Sequence, residues 1–242
     1  MADLVAATPP PRIAVRDRGG RYLGEFPVRR IHCVGRNFAD HAREMGASAP
    51  ESKAARGTPV FFQKPACAIV LDGEVPYPPA TSDLHHEVEL VVALGADAPP
   101  GLLSPGDAIA LVFGYGVGLD LTRRDLQAAA KAKGLPWDDG KGFDHSAPVS
   151  TLLPAAEVGD IDALALTLEV NGQRRQHGAL RDLIWNVPEI LHELSKLHAL
   201  RAGDLVFMGT PAGVAALQPG DRFDARLGDL LQLEGHIRHA SV

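Results

Sequence analysis

At 242 residues, with 45% hydrophobic and 22% charged side chains, the chain has the composition of a soluble globular protein of one large domain or two small ones. Its net charge of −6, with both signs mixed along the sequence, argues against a nucleic-acid partner. No apolar run reaches membrane-spanning length, Met1–Pro11 lacks the basic flank and apolar core of a signal peptide, and the two cysteines, Cys33 and Cys67, show no metal-type spacing. The expected setting is therefore cytoplasmic and reducing, without a membrane partner.

The 25 Gly and 19 Pro predict many turns and a β-rich fold with few long helices. Residues 1–27 hold a Pro-rich start, Arg12-Ile13-Ala14-Val15, a Gly19-Gly20 turn and Tyr22-Leu23-Gly24-Glu25-Phe26. They predict a hairpin-like extension packed on an edge of a single domain over 28–242. Ile31-His32-Cys33-Val34-Gly35 reads as a short buried strand. After it, Asn37 as N-cap and Gly46 as the stop predict a helix of about two turns. His41 and Glu44 then share one face at i and i+3. A glutamate that accepts one imidazole N–H leaves the other nitrogen free as a base; the competing reading is a solvated ion pair. The small and polar run from Ala47 to Thr58 predicts a loop, and 37–58 together read as a lid. Val60-Phe61-Phe62-Gln63 is an apolar strand ending in Lys64, which either faces a pocket or, as is commoner, snorkels to solvent.

From Glu87 to Leu94 the sequence Glu-Val-Glu-Leu-Val-Val-Ala-Leu reads as a strand. Alternation puts Glu87 and Glu89 on one face with Val91 and Ala93, and Val88, Leu90, Val92 and Leu94 on the other. Two carboxylates on a buried apolar strand need a partner, a shared proton or a cation, and a hard divalent ion is the simplest answer. A polar, solvent-facing side of an edge strand is the alternative.

Ile109 to Leu121 is a second strand, and no helix opens directly after its Gly114-x-Gly116-x-Gly118, which rules out a dinucleotide loop and suits close backbone approach instead. Asp120 sits at its end as a candidate third oxygen ligand. Thr122-x-x-Asp125 predicts a capped helix running to Gly134, with Arg124 and Gln127 one turn apart. In the loop 137–148, Lys141 lies between Gly140 and Gly142, on backbone a ligand can approach closely. Residues 164–170, an Asn171-Gly172 turn and Gln173–Gln176 form a hairpin. An amphipathic helix follows from Val187, with Ile190, Leu191 and Leu194 inward and His192 at the surface. Gly203–Phe207 is a buried strand leading to a turn whose amides and Thr210 hydroxyl can cradle a carboxylate. Two short strands close the chain after Gly220.

Taken jointly, Gly35-Arg36-Asn37-Phe38-Ala39-Asp40-His41 through Glu44, Lys64-Pro65, His85-His86-Glu87-Val88-Glu89, Leu119-Asp120 through Gln127, Lys141-Gly142-Phe143-Asp144 and Gly209-Thr210-Pro211-Ala212-Gly213 resemble the fumarylacetoacetate hydrolase superfamily. Within it, the runs 122–127 and 141–148 are most similar to the fumarylpyruvate hydrolases of gentisate degradation. The resemblance implies an α+β, β-rich fold, a β-sandwich roll with short helices, usually a homodimer. It implies one divalent cation per subunit, Mg²⁺ or alternatively Mn²⁺, held by Glu87, Glu89 and Asp120. His41 and Glu44 would activate water, Lys141 would stabilise an oxyanion, and Arg124, Gln127 and Thr210 would hold substrate. The implied reaction is cleavage of the carbon–carbon bond of a dicarboxylic 2,4-dioxo acid, fumarylpyruvate giving fumarate and pyruvate. Arg123 is the candidate for the distal carboxylate. Acylpyruvate hydrolysis, oxaloacetate decarboxylation, dienoate isomerisation and non-catalytic oxo-acid binding are the competing readings. Two departures from the family pattern are Gly140, where alanine is common, and Met208, where a hydroxyl residue is common.

Overall fold

The computed structural model describes residues 8–239 apart from 45, 47–49 and 51, so the expected lid over 37–58 lies partly outside the described residues. A six-stranded sheet runs in the order Leu153–Pro154, Val112–Leu119, Val88–Leu94, Asp204–Phe207, Arg30–Gly35 and Val60–Lys64. All its pairings are antiparallel except that of Asp204–Phe207 with Arg30–Gly35. A five-stranded sheet, ordered Gln173–Ala179, Ala165–Val170, Arg222–Leu227, Leu231–Arg238 and Glu74–Pro76, lies against it.

The alternation along Val88–Leu94 has its expected consequence on both faces. Val88, Leu90, Val92 and Leu94 join Leu166, Leu168, Ala225 and Leu227 of the facing sheet in one core. Val91 and Ala93 join Phe207 and Ile31 in a second core, which Ile13, Val15 and Phe26 of the N-terminal hairpin cover. A strand buried on both faces near the middle of a sheet has no solvent side, which removes the edge-strand alternative for Glu87 and Glu89. The glycines of Val112–Leu119 are there for contact. A Cβ on Gly114 would lie 2.4 Å from the Leu153 carbonyl oxygen, and one on Gly118 would lie 2.9 Å from Phe207 and Val91. These distances are too short for any side chain but hydrogen.

Helices are short: Ala39–Glu44, Pro105–Ile109, Arg124–Lys133, Asp138–Lys141 and Val187–Ser195. No helix among the described residues is long and apolar enough to cross a membrane. Val187–Ser195 buries Ile190, Leu191 and Leu194, as its periodicity predicts, and Asn186 and Glu189 cap it reciprocally. His192, expected at the surface, is part-buried and faces the Leu103 carbonyl at 2.5 Å through Nδ1. Two predicted caps are not formed. Asn37 is buried and spans other elements, donating to Trp185 O (3.0 Å) and Met208 O (2.8 Å) and accepting from Trp185 N (2.9 Å). Thr122 is in a strand beside Leu84–His86, and the helix begins after Arg123 with no side-chain cap. In both cases a long-range buried contact takes a side chain that local pattern assigned to a helix end.

The two central parallel strands are clamped at their start by Asp204. Its buried carboxylate accepts from Arg30 Nη2 (2.7 Å), Arg30 Nε (3.1 Å), Arg29 Nη1 (3.1 Å) and the Arg201 amide (3.0 Å). Burial pushes this carboxyl up, but the adjacent His32 ring, Arg30 and the Arg201 amide outweigh it and hold it well below the usual carboxylate range. A folded-state value below the unfolded one means the stabilisation is complete above about pH 4 and is lost as pH falls through the folded value. Asp204→Asn is therefore expected to cost about 2–4 kcal/mol at about pH 7, with the gap narrowing towards about pH 3. Urea unfolding at the two pH values checks this, and an equal gap at both contradicts it.

Candidate active site

Glu87 occupies the break between strands Leu84–His86 and Val88–Leu94, and its carbonyl accepts the Asp120 amide at 2.8 Å. That bond brings the end of the neighbouring strand against the acidic pair. One oxygen from each of Glu87, Glu89 and Asp120 lies within 4.8 Å of the others, and all three residues are buried.

Cations surround the cluster. Lys141 Nζ donates to Glu87 Oε2 (2.7 Å), Asp120 Oδ2 (2.5 Å) and Thr122 Oγ1 (2.7 Å). Arg124 Nη2 donates to Glu87 Oε1 at 2.5 Å. Lys64 does not snorkel: its buried ammonium donates to Leu121 O (3.0 Å) and to Lys141 O, and lies 2.8 Å from Asp120 Oδ1. The direction of that last contact is not that of a hydrogen bond, so Asp120 Oδ1 has a neighbouring charge but no donor. Among the described residues Glu89 touches no cation, and its Oε2 accepts only the Gly209 amide, at 2.7 Å. The turn expected to cradle a substrate carboxylate thus spends that amide on Glu89.

Charge states follow from these contacts. Burial pushes Glu87 up, but Lys141 and Arg124 outweigh it and hold the carboxyl well below its usual range. Burial pushes Glu89 well up, reinforced by the negative charges of Asp120 and Glu87. Burial lowers Lys141, but Asp120 and Glu87 more than offset it and the ammonium is kept. The cluster is short of positive charge at Glu89 and short of a donor at Asp120 Oδ1. Three hard oxygen ligands with that deficit fit a divalent cation of the Mg²⁺ or Mn²⁺ type.

The other half of the site is on Ala39–Glu44. His41 is buried, with Nδ1 3.3 Å from Glu44 Oε2, and the Gly213 amide fixes Glu44 from 3.1 Å. Burial lowers the His41 pKa against the opposing pull of Glu87 and Glu44, so the ring is neutral near pH 7. With Nδ1–H given to Glu44, the free lone pair is on Nε2.

A narrow cleft is lined by His41, Glu87, Glu89, Arg124, Gln127, Lys141 and Thr210, with Val34, Gly35, Arg36, Phe62, Lys131 and Trp137 completing it. The structure therefore brings together His41, Lys141, Glu87, Glu89, Arg124, Gln127 and Thr210, with Asp120 and Glu44 directly behind them. Arg123 is the exception. Thr122 of the same two-residue strand points inward to Lys141, so Arg123 points away: it stacks on Phe143 at 4.3 Å and donates to the Asp139 carbonyl. It does not line the cleft and so is not placed there to meet the substrate carboxylate expected of it. Lys141 is also not on an open loop but ends the helix Asp138–Lys141, where a Cβ on Gly140 would lie 3.0 Å from Gln127. Met208, the other departure from the family pattern, packs in the main core and does not line the cleft.

Three contributors escaped sequence reasoning. Lys64 looked like a strand-end lysine. Gln176 looked like part of an exposed hairpin, yet its Oε1 accepts from Val88 N (3.0 Å) and its Nε2 donates to Thr210 Oγ1 (2.7 Å), which leaves the threonine proton for the cleft. His85 lies with Nε2 2.9 Å from Asp83 and Nδ1 3.4 Å from Arg124 Nε, steadying the guanidinium.

The match to the family model "Fumarylacetoacetate (FAA) hydrolase C-terminal" spans residues 30–238. This chain belongs to the fumarylacetoacetate hydrolase family. It is 42% identical over 201 residues to the oxaloacetate tautomerase YcgM of Escherichia coli (strain K12), covering 82% of this chain and 88% of that one. It is 39% identical over 194 residues to a mitochondrial oxaloacetate decarboxylase of Dictyostelium discoideum, covering 79% and 85%. The crystal structure of fumarylpyruvate hydrolase from Pseudomonas aeruginosa in complex with Mn²⁺ and pyruvate superposes with a TM-score of 0.90 at 41% identity, covering 98% of this chain and all (100%) of that one. Family membership and the β-rich α+β fold thus agree with the sequence resemblance.

Lys64→Met separates the buried role from a solvated one. Removing one partner of a dry ion pair is expected to cost about 3 kcal/mol, against about 0.5 kcal/mol or less for a solvent-facing lysine. Thermal and urea unfolding of the purified variant decide between the two.

Proposed function

We propose that this chain is a divalent-metal-dependent hydrolase that cleaves the carbon–carbon bond of a 2,4-dioxo acid, with fumarylpyruvate giving fumarate and pyruvate. The observation that carries this reading is the neutral, buried His41, backed by Glu44 and opening on the same cleft as Glu87 and Glu89. A base poised in that way beside a cation site is what water activation requires. The Pseudomonas structure, similar over nearly the whole chain, carries both a divalent ion and the pyruvate half of such a substrate.

Glu87, Glu89 and Asp120 would hold a divalent ion, which would supply Lewis-acid charge beside a bound 2-oxo acid. Arg124 and Gln127, joined by a 2.7 Å hydrogen bond, orient the 1-carboxylate, and the Thr210 hydroxyl donates to it. His41 takes a proton from water while Glu44 stabilises the imidazolium. The hydroxyl adds to the 4-oxo carbon. The C3–C4 bond then breaks, its electron pair passes to C3 as the enolate of pyruvate, and the proton held by His41 returns there. Lys141 has all three donors committed to Glu87, Asp120 and Thr122, so its first task is to keep the carboxylates ionised and in place. Acting on the oxyanion requires it to release one of them.

Interconversion of oxaloacetate tautomers, or its decarboxylation, is the second reading, favoured by the identity with the Escherichia coli and Dictyostelium enzymes. Both readings use an enolate next to a base and differ in whether water attacks. A spectrophotometric panel of fumarylpyruvate, acetylpyruvate and oxaloacetate, with and without chelator, distinguishes them. Consumption of fumarylpyruvate with equimolar fumarate and pyruvate is expected, and a chain that only shifts the oxaloacetate enol signal is not this hydrolase. His41→Ala is expected to keep Mn²⁺ binding and lose about 10²–10⁴-fold in kcat, whereas Glu87→Ala is expected to lose the ion and turnover together. Unchanged kcat in His41→Ala removes the dyad from the mechanism.

A further inference from the structure

The helix Arg124–Lys133 offers the cleft a third side chain beyond the two already assigned. Arg124, Gln127 and Lys131 are spaced i, i+3 and i+7, one stripe along the helix, and all three line the cleft. Lys131 is about 10 Å along the axis from Arg124, a span that an extended chain of a few carbons bridges. Its ammonium stands 5.0 Å over the Trp137 ring, which itself lies 6.1 Å from Phe62, so an apolar wall runs between the inner and outer cations.

Arg36, from a separate segment of the chain, lines the same cleft. It follows the strand Arg30–Gly35 with φ of 59°, a left-handed conformation that costs a long side chain of the order of 1 kcal/mol and that glycine or asparagine adopts freely. Retaining arginine on such backbone places a guanidinium where the neighbouring Gly35 and Asn37 place none. Among the described residues, neither Arg36 nor Lys131 has a carboxylate partner, while every other cation of the cleft is paired. Lys131 is pushed down to about 8, first by burial and then by Arg124, Arg36 and Lys141, the signature of positive charges gathered without a counter-ion.

We propose that Arg36 and Lys131 form an outer anion subsite that takes the distal carboxylate of a dicarboxylic oxo acid, with the acyl chain lying along Trp137 and Phe62. This replaces Arg123 and rests on the oxo-acid reading of the inner site. It makes the substrate class a dianion with carboxylates at both ends, and it makes simple acylpyruvates poor ligands.

The test uses Mn²⁺-loaded protein and calorimetric titration with two unreactive ligands that differ only at the far end, 2-oxoheptanedioate and 2-oxoheptanoate. Wild type is expected to bind the dioate about tenfold more tightly. Lys131→Met, which keeps the stem on Trp137, and Arg36→Asn, which suits the left-handed backbone, are each expected to erase most of that preference. Lys131→Arg is expected to restore it. Mn²⁺ affinity and thermal unfolding of each variant show that the inner site and the fold are intact. Equal losses on the two ligands, or no preference in wild type, overturn the subsite while leaving the oxo-acid reading in place. Failure of wild type to bind either ligand removes both.

Discussion

Lys141 bridging Glu87 and Asp120 is the contact on which the rest of the site depends. Three carboxylates in a dry interior repel one another and lose hydration, and such a group survives only if opposite charge lies within contact distance. Lys141, Arg124 and Lys64 supply it, and each is held by backbone or side-chain acceptors of its own. Glu89 is the member left out, touching one amide and, among the described residues, no cation. The imbalance gives the cluster its chemistry: a site fully neutralised by its own lysines has no use for an ion, whereas here burial and the neighbouring carboxylates push the Glu89 carboxyl well up and leave it short of positive charge.

The sandwich exists to make that arrangement cheap. Glu87 interrupts what would be one long strand, so its carbonyl meets the Asp120 amide instead of continuing a regular ladder. The glycine run of Val112–Leu119 lets neighbouring strands and Phe207 close over it, which brings Asp120 to the acidic pair without a cavity. Gln176 ties the strand after Glu87 to Thr210, and the Gly213 turn that follows holds Glu44. The candidate ligand, base and substrate residues thus come from six separate segments joined by a few buried hydrogen bonds, so the site is as rigid as the core beneath it.

Relatives with the same fold are named for hydrolysis, tautomerisation and decarboxylation, and what these reactions share is charge developing on the carbon next to a 2-oxo group. An inner site that steadies this charge serves all of them. Selection among them falls to what lies further out: whether a neutral imidazole can reach water, and which far end of the substrate the mouth accepts. His41 speaks to the first and the Arg36–Lys131 pair to the second.

Alternation along 87–94 was legible because its period reports burial directly, and the residue types of Glu87, Glu89 and Asp120 were legible because few arrangements tolerate buried carboxylates. The His41–Glu44 spacing and the Val187–Ser195 helix were also readable, each being a local pattern. What local pattern misjudged were side chains claimed by distant partners: Asn37 by Trp185 and Met208, Thr122 by Lys141, Lys64 by Asp120, Gln176 by Thr210. Arg123 and Arg124 are adjacent and chemically alike, and only the strand that ends between them sends one to Phe143 and the other to Glu87. The sequence by itself determined which chemistry-bearing residues the chain carries and which faces they share, because that depends on residue type and short-range period. The tertiary structure alone decided which charges meet, because the energy of a buried pair depends on distance and dielectric, and neither exists until the two sheets have closed.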